Sequence, residues 1–262
     1  MKIFAHHAHV FPKEIREDGT VEALMRLMDQ CDIEKAVAFA PFYEYFEEAG
    51  ANPNQWLAGA IKGQDRLYGF GIIDFSRDDM ENQTEEILQC GLKGIKIHPA
   101  FQKIKIDCEK AFRVYGKAQE LGLAVSFHTG IHWHRIADYN TLLFDEVAWH
   151  FPKLRFTMEH VGGYTFFNEA VAVLTNNREN VYAGLTSVFD AEMNRFWYLG
   201  EERVNELLWQ IGAGRCIFGL DFPYNQKKEI REALSCVDRL KATSEEKSKI
   251  LGGNLADFLG IK

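Results

Sequence analysis

Short runs of β-branched and aromatic residues alternate along this chain with longer segments whose apolar positions recur at helical spacing. The apolar runs predict eight strands, at 3–10, 36–41, 67–75, 92–98, 124–128, 155–160, 181–186 and 216–221. The amphipathic segments predict eight helices, at 21–31, 54–62, 80–90, 109–121, 141–151, 168–175, 201–211 and 229–240. Strand starts recur about every 25 to 35 residues, which is the length of a strand–helix–strand unit.

Eight strands that alternate with helices over 262 residues predict an α/β fold, a (β/α)8 TIM-type barrel. An open, doubly wound sheet is the alternative architecture. No linker rich in Gly, Ser or Pro interrupts the series, so we expect residues 1–262 to form one domain. A chain of this length can bury an extensive core without a disulfide or metal scaffold.

The composition makes several classes of protein improbable. The chain has 38 acidic and 30 basic residues, a formal net charge of −8, and no polybasic run, so we do not expect nucleic acid as a partner. It has no uninterrupted apolar stretch of about 18 residues and no leader-like N-terminus, so we expect neither a membrane span nor a signal peptide, and a cytoplasmic location. The five cysteines include no C-x-x-C pair and predict buried thiols in a reducing compartment.

Residues that suit metal ions and proton transfer lie where the predicted strands end. Five histidines and one aspartate are within or at the C-terminal end of a predicted strand: His7, His9, His98, His128, His160 and Asp221. The carboxyl ends of barrel strands meet at one rim, where active sites of this fold are built. We therefore expect these side chains to converge.

Strand alternation predicts which of these residues share a face. His7 and His9 are two residues apart and should point to the same side of strand one, where two imidazoles can share one metal ion. A hydrogen-bonded pair of interior histidines is the alternative, and the H-x-H spacing does not decide between the two.

The same alternation applies to three later strands. It places His128 and Asp221 on the inner face of strands five and eight, and His160 on the side of Met158 in strand six. Glu159 is then expected to face outward against a helix. A carboxylate inside the barrel, such as Asp221, needs a metal, a hydrogen-bond network or an ion pair.

Seven short fragments follow one another along most of the chain: HAHVFP at 7–12, GLKGIKIHP at 91–99, FHTG at 127–130, FP at 151–152, HVGG at 160–163, GLDFP at 219–223 and GNLA at 253–256. In this order they resemble the amidohydrolase superfamily, in particular the subfamily of aminocarboxymuconate-semialdehyde and resorcylate decarboxylases and many uncharacterised hydrolases. Each fragment is a weak signal, but their order along most of the chain is a strong one.

The resemblance implies a metal-dependent enzyme. His7, His9, His128 and Asp221 would hold one divalent ion, with zinc as the first candidate, and His160 would be a proton-transfer or charge-stabilising group near the bound water. Imidazoles and a carboxylate suit Zn²⁺, and an open coordination position lowers the pKa of a bound water towards about 7.

Two positions depart from the family pattern. Many relatives carry Asp two residues before the first metal histidine, where this chain has Ala5, so a contact to that ligand is missing or is replaced by His6. The acid or carboxylated lysine on strand four of binuclear relatives has no clear counterpart, although Lys96 shares a face with His98. Lys96 is either a carbamylated bridging ligand or, as we favour, a lysine paired with an acid inside the barrel, so we expect a single ion.

Other histidines near the rim have different interpretations. Pro99 ends strand four where the pocket should begin, so we expect His98 and Lys96 to contact the substrate. His132 and His134 form a second H-x-H in the loop after strand five, and we interpret them as a solvated or pocket-lining pair because a loop has no fixed face.

These residues predict a hydrolase of a small carbonyl compound such as a lactone, amide or ester. Asp221 would take the proton of the attacking water and pass it to the leaving group, and His160 would steady the oxyanion. Decarboxylation is the main alternative, with the metal and Asp221 orienting a carboxylated substrate. No arginine lies beside the predicted strand ends, Arg135 being the nearest, and this scarcity of carboxylate clamps favours hydrolysis.

Two further alternatives rank lower. The acidic balance and the missing glutamate on strand four disfavour a phosphodiesterase. A non-catalytic metal-binding protein would have no open coordination position. We expect a small-molecule substrate as the partner and leave open a homo-oligomer.

Overall fold

The computed structural model describes residues 2–46 and 51–261, in which eight parallel strands close into a barrel. Each strand pairs with its neighbour in sequence, and the last strand pairs with the first. The predicted (β/α)8 barrel is confirmed, and the open sheet is excluded.

The strands are β1 Ile3–His9, β2 Ile33–Phe39, β3 Leu67–Gly71, β4 Gly94–Ile97, β5 Ala124–His128, β6 Phe156–Glu159, β7 Val181–Thr186 and β8 Cys216–Phe222. The α-helices in the described ranges are α1 Val21–Gln30, α2 Pro53–Ala60, α3 Met80–Gln89, α4 Glu109–Leu121, α5 Leu143–His150, α6 Gly163–Asn176, α7 Gly200–Ile211, α8 Lys227–Arg239, α9 Ser244–Ser248 and α10 Asn254–Leu259.

Several element bounds differ from those predicted. β3 ends at Gly71 and not at 75, because Ile72, Ile73 and Phe75 continue as a buried connection without strand pairing. β2 starts three residues before the predicted 36. The sequence pattern gave no sign of α9 and α10, which follow α8.

The outer face of the barrel packs against the helices. Phe127 of β5 lies 5.5 Å from Tyr115 of α4 and 5.0 Å from Phe144 of α5, measured between ring centroids. Ser126, its neighbour on the strand, donates a hydrogen bond to Glu159 inside the barrel. The alternation predicted for this strand is therefore present.

A second apolar cluster fills the barrel interior below the rim. It joins Phe39, Phe70 and Ile217 of the strands to Leu255 and Phe258 of α10, and all five are buried. α10 thereby closes the N-terminal end of the barrel and leaves the carboxyl-end rim as the open one.

The remaining composition-based predictions have mixed outcomes. All five cysteines are free, but only Cys31, Cys216 and Cys236 are buried, whereas Cys90 and Cys108 are partly exposed. Among the described residues, no helix has both the length and the apolar character needed to cross a membrane.

Candidate active site

A cavity of about 560 Å³ opens at the carboxyl ends of the strands. Its volume is that of a small-molecule site. All of the site residues expected from the sequence line it: His7, His9, Lys96, His98, His128, His160 and Asp221.

Three of the predicted metal ligands form a tight group in this cavity. Nε2 of His7 lies 3.1 Å from Nε2 of His9 and 3.4 Å from Oδ1 of Asp221, and the distance from His9 Nε2 to the same oxygen is 3.9 Å. Ser187 Oγ donates to the other oxygen of Asp221 at 2.7 Å. Two imidazole nitrogens and one carboxylate oxygen therefore face one point.

Glu159 fixes the proton on His7. Its Oε2 accepts from Nδ1 of His7 at 2.9 Å and from Thr186 Oγ1 at 2.6 Å, and its Oε1 accepts from Nδ1 of His6 at 3.0 Å. Burial acts to raise the pKa of Glu159, but the two imidazoles hold it well below its usual value. An ionised carboxylate can only accept, so Nδ1 of His7 carries the proton and Nε2 offers its lone pair to the cavity.

This position of Glu159 contradicts the sequence prediction that it faces a helix. Met158 packs in the outer core, and Glu159 is fully buried inside the barrel. The prediction continues the alternation of side chains along β6 to His160. The strand in fact ends at Glu159, and His160 has a left-handed backbone with φ 63°. That turn returns His160 to the cavity, so His160 does not share the side of Met158.

The first strand also departs from simple alternation. His7 has φ 61°, and the pairing of β1 with β2 shifts register between Ala5 and Ala8. The irregularity lets adjacent His6 and His7 both reach Glu159. His6 therefore contacts the acid that orients His7 and is not itself part of the group around Asp221.

His128 lines the cavity outside the group formed by His7, His9 and Asp221. Its Nε2 lies 2.6 Å from the carbonyl oxygen of Gly130, so this nitrogen carries a proton and donates it. Its ring stacks on His98 with centroids 3.8 Å apart. As oriented, Nε2 of His128 has no lone pair to offer an ion, and its role as a fourth ligand stays a prediction.

His160 is held as a neutral acceptor. Its Nδ1 donates to the carbonyl oxygen of Thr186 at 2.8 Å, and Trp197 stacks on the ring at 4.2 Å. Burial, with the neighbouring charge of Lys96, lowers the pKa of His160 to about 3. Nε2 then carries a lone pair, so in this tautomer it can accept a hydrogen bond but cannot donate one to an oxyanion.

Lys96 is a buried cation. Only 1% of its surface is exposed, and its Nζ has no hydrogen-bond partner in the part of the chain that the structure describes. Nζ lies 5.1 Å from the ring centre of Phe39. Burial lowers the pKa of Lys96 to about 8, against the attraction of Glu159 and Asp221. We expected Lys96 to pair with an acid inside the barrel. Among the described residues no acid contacts Nζ, so that prediction is wrong.

Sequence reasoning missed three residues of this site. Glu159 was visible only as an acid beside His160, and Trp197 lies in a loop with no motif. Arg16, from the loop after β1, lines the cavity, with its guanidinium paired to Asp18 and 4.7 Å from the ring centre of Tyr224. Arg135 instead lines a neighbouring cavity. The sequence pointed to Arg135 as the nearest arginine, but it is Arg16, from the loop after β1, that lines the cavity with Asp221.

Comparison with known proteins gives one family. A family described as "Amidohydrolase" matches residues 6–261. The chain is 24% identical over 223 residues to the 2-amino-3-carboxymuconate-6-semialdehyde decarboxylase of Dictyostelium discoideum, and the match covers 75% of this chain and 62% of that protein. The chain thus spans less than two thirds of the length of this relative.

Solved structures of similar fold include both reaction types. A probable 2-pyrone-4,6-dicarboxylic acid hydrolase from Acinetobacter baumannii, with citric acid bound, has a TM-score of 0.73 at 15% identity over 100% of both chains. A dihydroxybenzoic acid decarboxylase from a Polaromonas species, with manganese and the inhibitor 2-nitroresorcinol, has a TM-score of 0.69 at 16% identity over 99% of this chain and 97% of that chain. At these identities the likeness concerns the fold.

Proposed function

The chain belongs to the amidohydrolase family and is an enzyme, and we propose that it is a metal-dependent decarboxylase of a small aromatic or conjugated acid. The proposal rests on the buried ammonium group of Lys96, which has no hydrogen-bond partner among residues 2–46 and 51–261 and lies in the wall of the cavity that also holds Asp221. The decarboxylase activity named for the Dictyostelium relative supports the same reaction type.

The donor set fits a divalent ion. His7 and His9 offer Nε2 and Asp221 offers Oδ1, and Glu159 keeps the His7 lone pair directed at the cavity. Two imidazoles and one carboxylate suit zinc, and three ligands leave a position for substrate. When bound, the ion would supply Lewis-acid polarisation of a substrate oxygen. His128 would join these ligands only after its bond to Gly130 opens.

Lys96 is placed to bind a carboxylate. A buried cation without a partner is costly, and a substrate carboxylate would remove that cost with a charge-assisted hydrogen bond. The cavity walls nearby are apolar, with Phe42, Phe101 and Trp197 among the lining residues. Planar, unsaturated substrates suit such walls.

Asp221 is the group that we assign to protonate the product. When the bond to the departing carboxyl carbon breaks, its electron pair stays on the substrate carbon, which then takes a proton. In the metal-free protein, burial raises the pKa of Asp221 to about 6, against the hydrogen bond from Ser187, so this carboxyl takes up a proton more readily than an exposed one. Carbon dioxide is the leaving product.

Product analysis tests this assignment. The protein is incubated in ¹⁸O-water with hydroxybenzoates and with pyrone carboxylates, and released carbon dioxide and labelled carboxylates are measured by mass spectrometry. We expect carbon dioxide release without label in the organic product, and a rate lowered about 10²-fold or more in Asp221→Asn. A labelled product carboxylate without carbon dioxide release would overturn the decarboxylase reading.

Hydrolysis of a lactone or ester is the second candidate, and one contact favours it. Asn225 donates to Ser187 Oγ at 2.9 Å, and Ser187 donates in turn to Oδ2 of Asp221. This chain of donors stabilises the carboxylate form of Asp221, which is the form that accepts a proton from water.

A further inference from the structure

A second group of three histidines lies beside the candidate active site. His98 follows β4, and His132 and His134 lie in the loop between β5 and α5. One ring nitrogen of each lies within 4.8 Å of the other two. The ring centroids form a triangle with sides of 5.6, 5.6 and 6.1 Å. The pair in the loop therefore does have a defined face, which sequence reasoning did not anticipate.

Two of these rings have a buried nitrogen without a partner. Nε2 of His98, a residue only 6% exposed, and Nδ1 of His132 make no hydrogen bond to any part of the chain that the structure describes. Buried polar atoms nearly always have a hydrogen-bond partner, so two buried nitrogens without one in the same cluster point to a missing ligand. A cation would accept lone pairs from all three rings at once, whereas neutral imidazoles facing each other cannot satisfy one another fully.

The surrounding backbone already positions the cluster. The backbone N–H of His132 donates to the hydroxyl of Tyr139 at 2.7 Å, and Nε1 of Trp197 donates to the carbonyl of Ile131 at 2.8 Å. One contact opposes the assignment, since the backbone N–H of Phe101 donates to Nδ1 of His98 at 3.2 Å. Ligation through Nε2 moves the ring proton to Nδ1, so the Phe101 N–H loses its acceptor and must turn away from Nδ1 when the metal bond forms.

We infer that His98, His132 and His134 form a second metal site, separate from the group around Asp221. Three imidazoles without a carboxylate select a transition ion such as Zn²⁺ over Mg²⁺ or Ca²⁺. Three protein ligands leave an open position, and His98 and His132 line the same cavity as His7 and Asp221. His98 is then a metal ligand and not the direct substrate contact expected from the sequence. The inference goes beyond the proposed function and does not depend on it.

Metal counting on the full chain tests the inference. Metal-free protein is titrated with Zn²⁺ by calorimetry, and bound zinc is measured by elemental analysis after dialysis. We expect two ions per chain in the wild type and one in the double variant His132→Ala/His134→Ala. The double variant His7→Ala/His9→Ala should also keep one ion, held by the second site. His150→Ala, at an exposed histidine of α5, is the matched control and should keep two.

The outcomes separate the two sites. One ion in the wild type, lost only in the His7/His9 variant, would overturn the second site and leave the proposed function untouched. Two ions in the His132/His134 variant would also overturn it. If His132→Ala/His134→Ala is the only variant that loses an ion, the second site is supported, even if His7 and His9 bind none. If circular dichroism shows that His132→Ala/His134→Ala does not fold, the single variant His134→Gln, at a partly exposed position, replaces it. We expect it to bind the second Zn²⁺ ion at least 10-fold more weakly than the wild type does.

Discussion

Four non-glycine residues that lie in a strand or directly after one have a left-handed backbone beside the cavity. They are His7, His160, Ser187 and Asp221, with φ between 55° and 63°. Such conformations cost about 1–3 kcal/mol each and persist only where the surroundings enforce them. His7, His160 and Asp221 line the cavity, as does Trp133 of the loop after β5, which has the same conformation with φ 54°. The strained backbone is thus concentrated where side chains leave the regular alternation of the barrel.

Replacing Glu159 by Gln should weaken metal binding about 10- to 100-fold. The amide presents a donor to one of two Nδ1–H groups, so His6 or His7 must change tautomer. In His7 that change removes the lone pair from the cavity. Competition for zinc against a chromophoric chelator measures the affinity, with Glu179→Gln at an exposed acid as the control. Unchanged affinity in a folded variant would mean that Glu159 does not orient the ligand.

Replacing His160 by Asn should lower turnover by a factor on the order of 10² or more without removing the metal. The Asn amide can still donate to the carbonyl of Thr186, but it has no basic nitrogen in place of Nε2. Steady-state kinetics and elemental analysis on the same sample give both quantities, and His150→Asn is the control. Full turnover would make His160 structural, and loss of metal would make it a ligand.

The dependence of kcat/KM on pH should follow the ionisation of the Lys96 ammonium group. Burial lowers its pKa to about 8, so the ammonium that binds an anionic substrate is present below that pH and is lost as the pH rises through it. We expect kcat/KM to fall above about pH 8 in the wild type. Lys96→Met should show a low kcat/KM without that decline. An alkaline decline that persists in the variant would assign it to another group.

Among the secondary-structure elements, β7 needs a glycine where it pairs with β6 beside the buried carboxylate of Glu159. A Cβ built on Gly184 of β7 would lie 2.5 Å from Oε2 of Glu159, so only a glycine leaves room for that carboxylate. β6 and β7 pair directly, with Glu159 opposite Gly184. The pairing register therefore sets where the acid can sit.

Gly184→Ala should lower the free energy of unfolding by about 1–3 kcal/mol, because the added methyl overpacks the site. It should also weaken metal binding, since Glu159 must move away from His7. Denaturant unfolding measures the first effect. Gly214→Ala is the matched control, because a Cβ there meets nothing within 4 Å. Equal stability of the two variants would mean that the interior around Glu159 can relax.

At the scale of the whole molecule, α10 plugs the closed end of the barrel. Phe258 is fully buried, with its ring centroid 5.0 Å from Tyr182 and 6.1 Å from His6. The apolar interior cluster that it completes lies directly below His6, the partner of Glu159. The last helix thus packs against the apolar cluster beneath His6 and, through His6, stabilises the position of Glu159.

Phe258→Ala should cost about 3–5 kcal/mol of unfolding free energy, the usual range for a fully buried phenylalanine. Trp209→Ala, at a side chain that is 81% exposed, should change it by less than about 0.5 kcal/mol. Thermal and denaturant unfolding of both variants give the comparison. Similar small losses would show that α10 contributes little to the barrel.

Local periodicity was enough to predict the barrel architecture and seven of the residues that line the cavity. Strand and helix periods are local properties, and a barrel brings every strand end to the same rim, so the end positions of His7, His9, His128 and Asp221 were enough to predict that they line one cavity. How these groups face one another depends on contacts that form when the barrel folds. Left-handed turns at His7 and His160 break the period-two rule, and periodicity carries no sign of them.

The proton positions were also decided by the fold. The tautomer of each of three histidines is set by its acceptor: the carboxylate of Glu159 for His7, the carbonyl of Thr186 for His160 and, only two residues along the chain, the carbonyl of Gly130 for His128. Glu159 and Thr186 lie on other strands from the histidines they orient, so the direction of the lone pairs of His7 and His160 depends on how the barrel closes. The sequence could name the imidazoles, but closure of the barrel decides which nitrogen of each one faces the cavity.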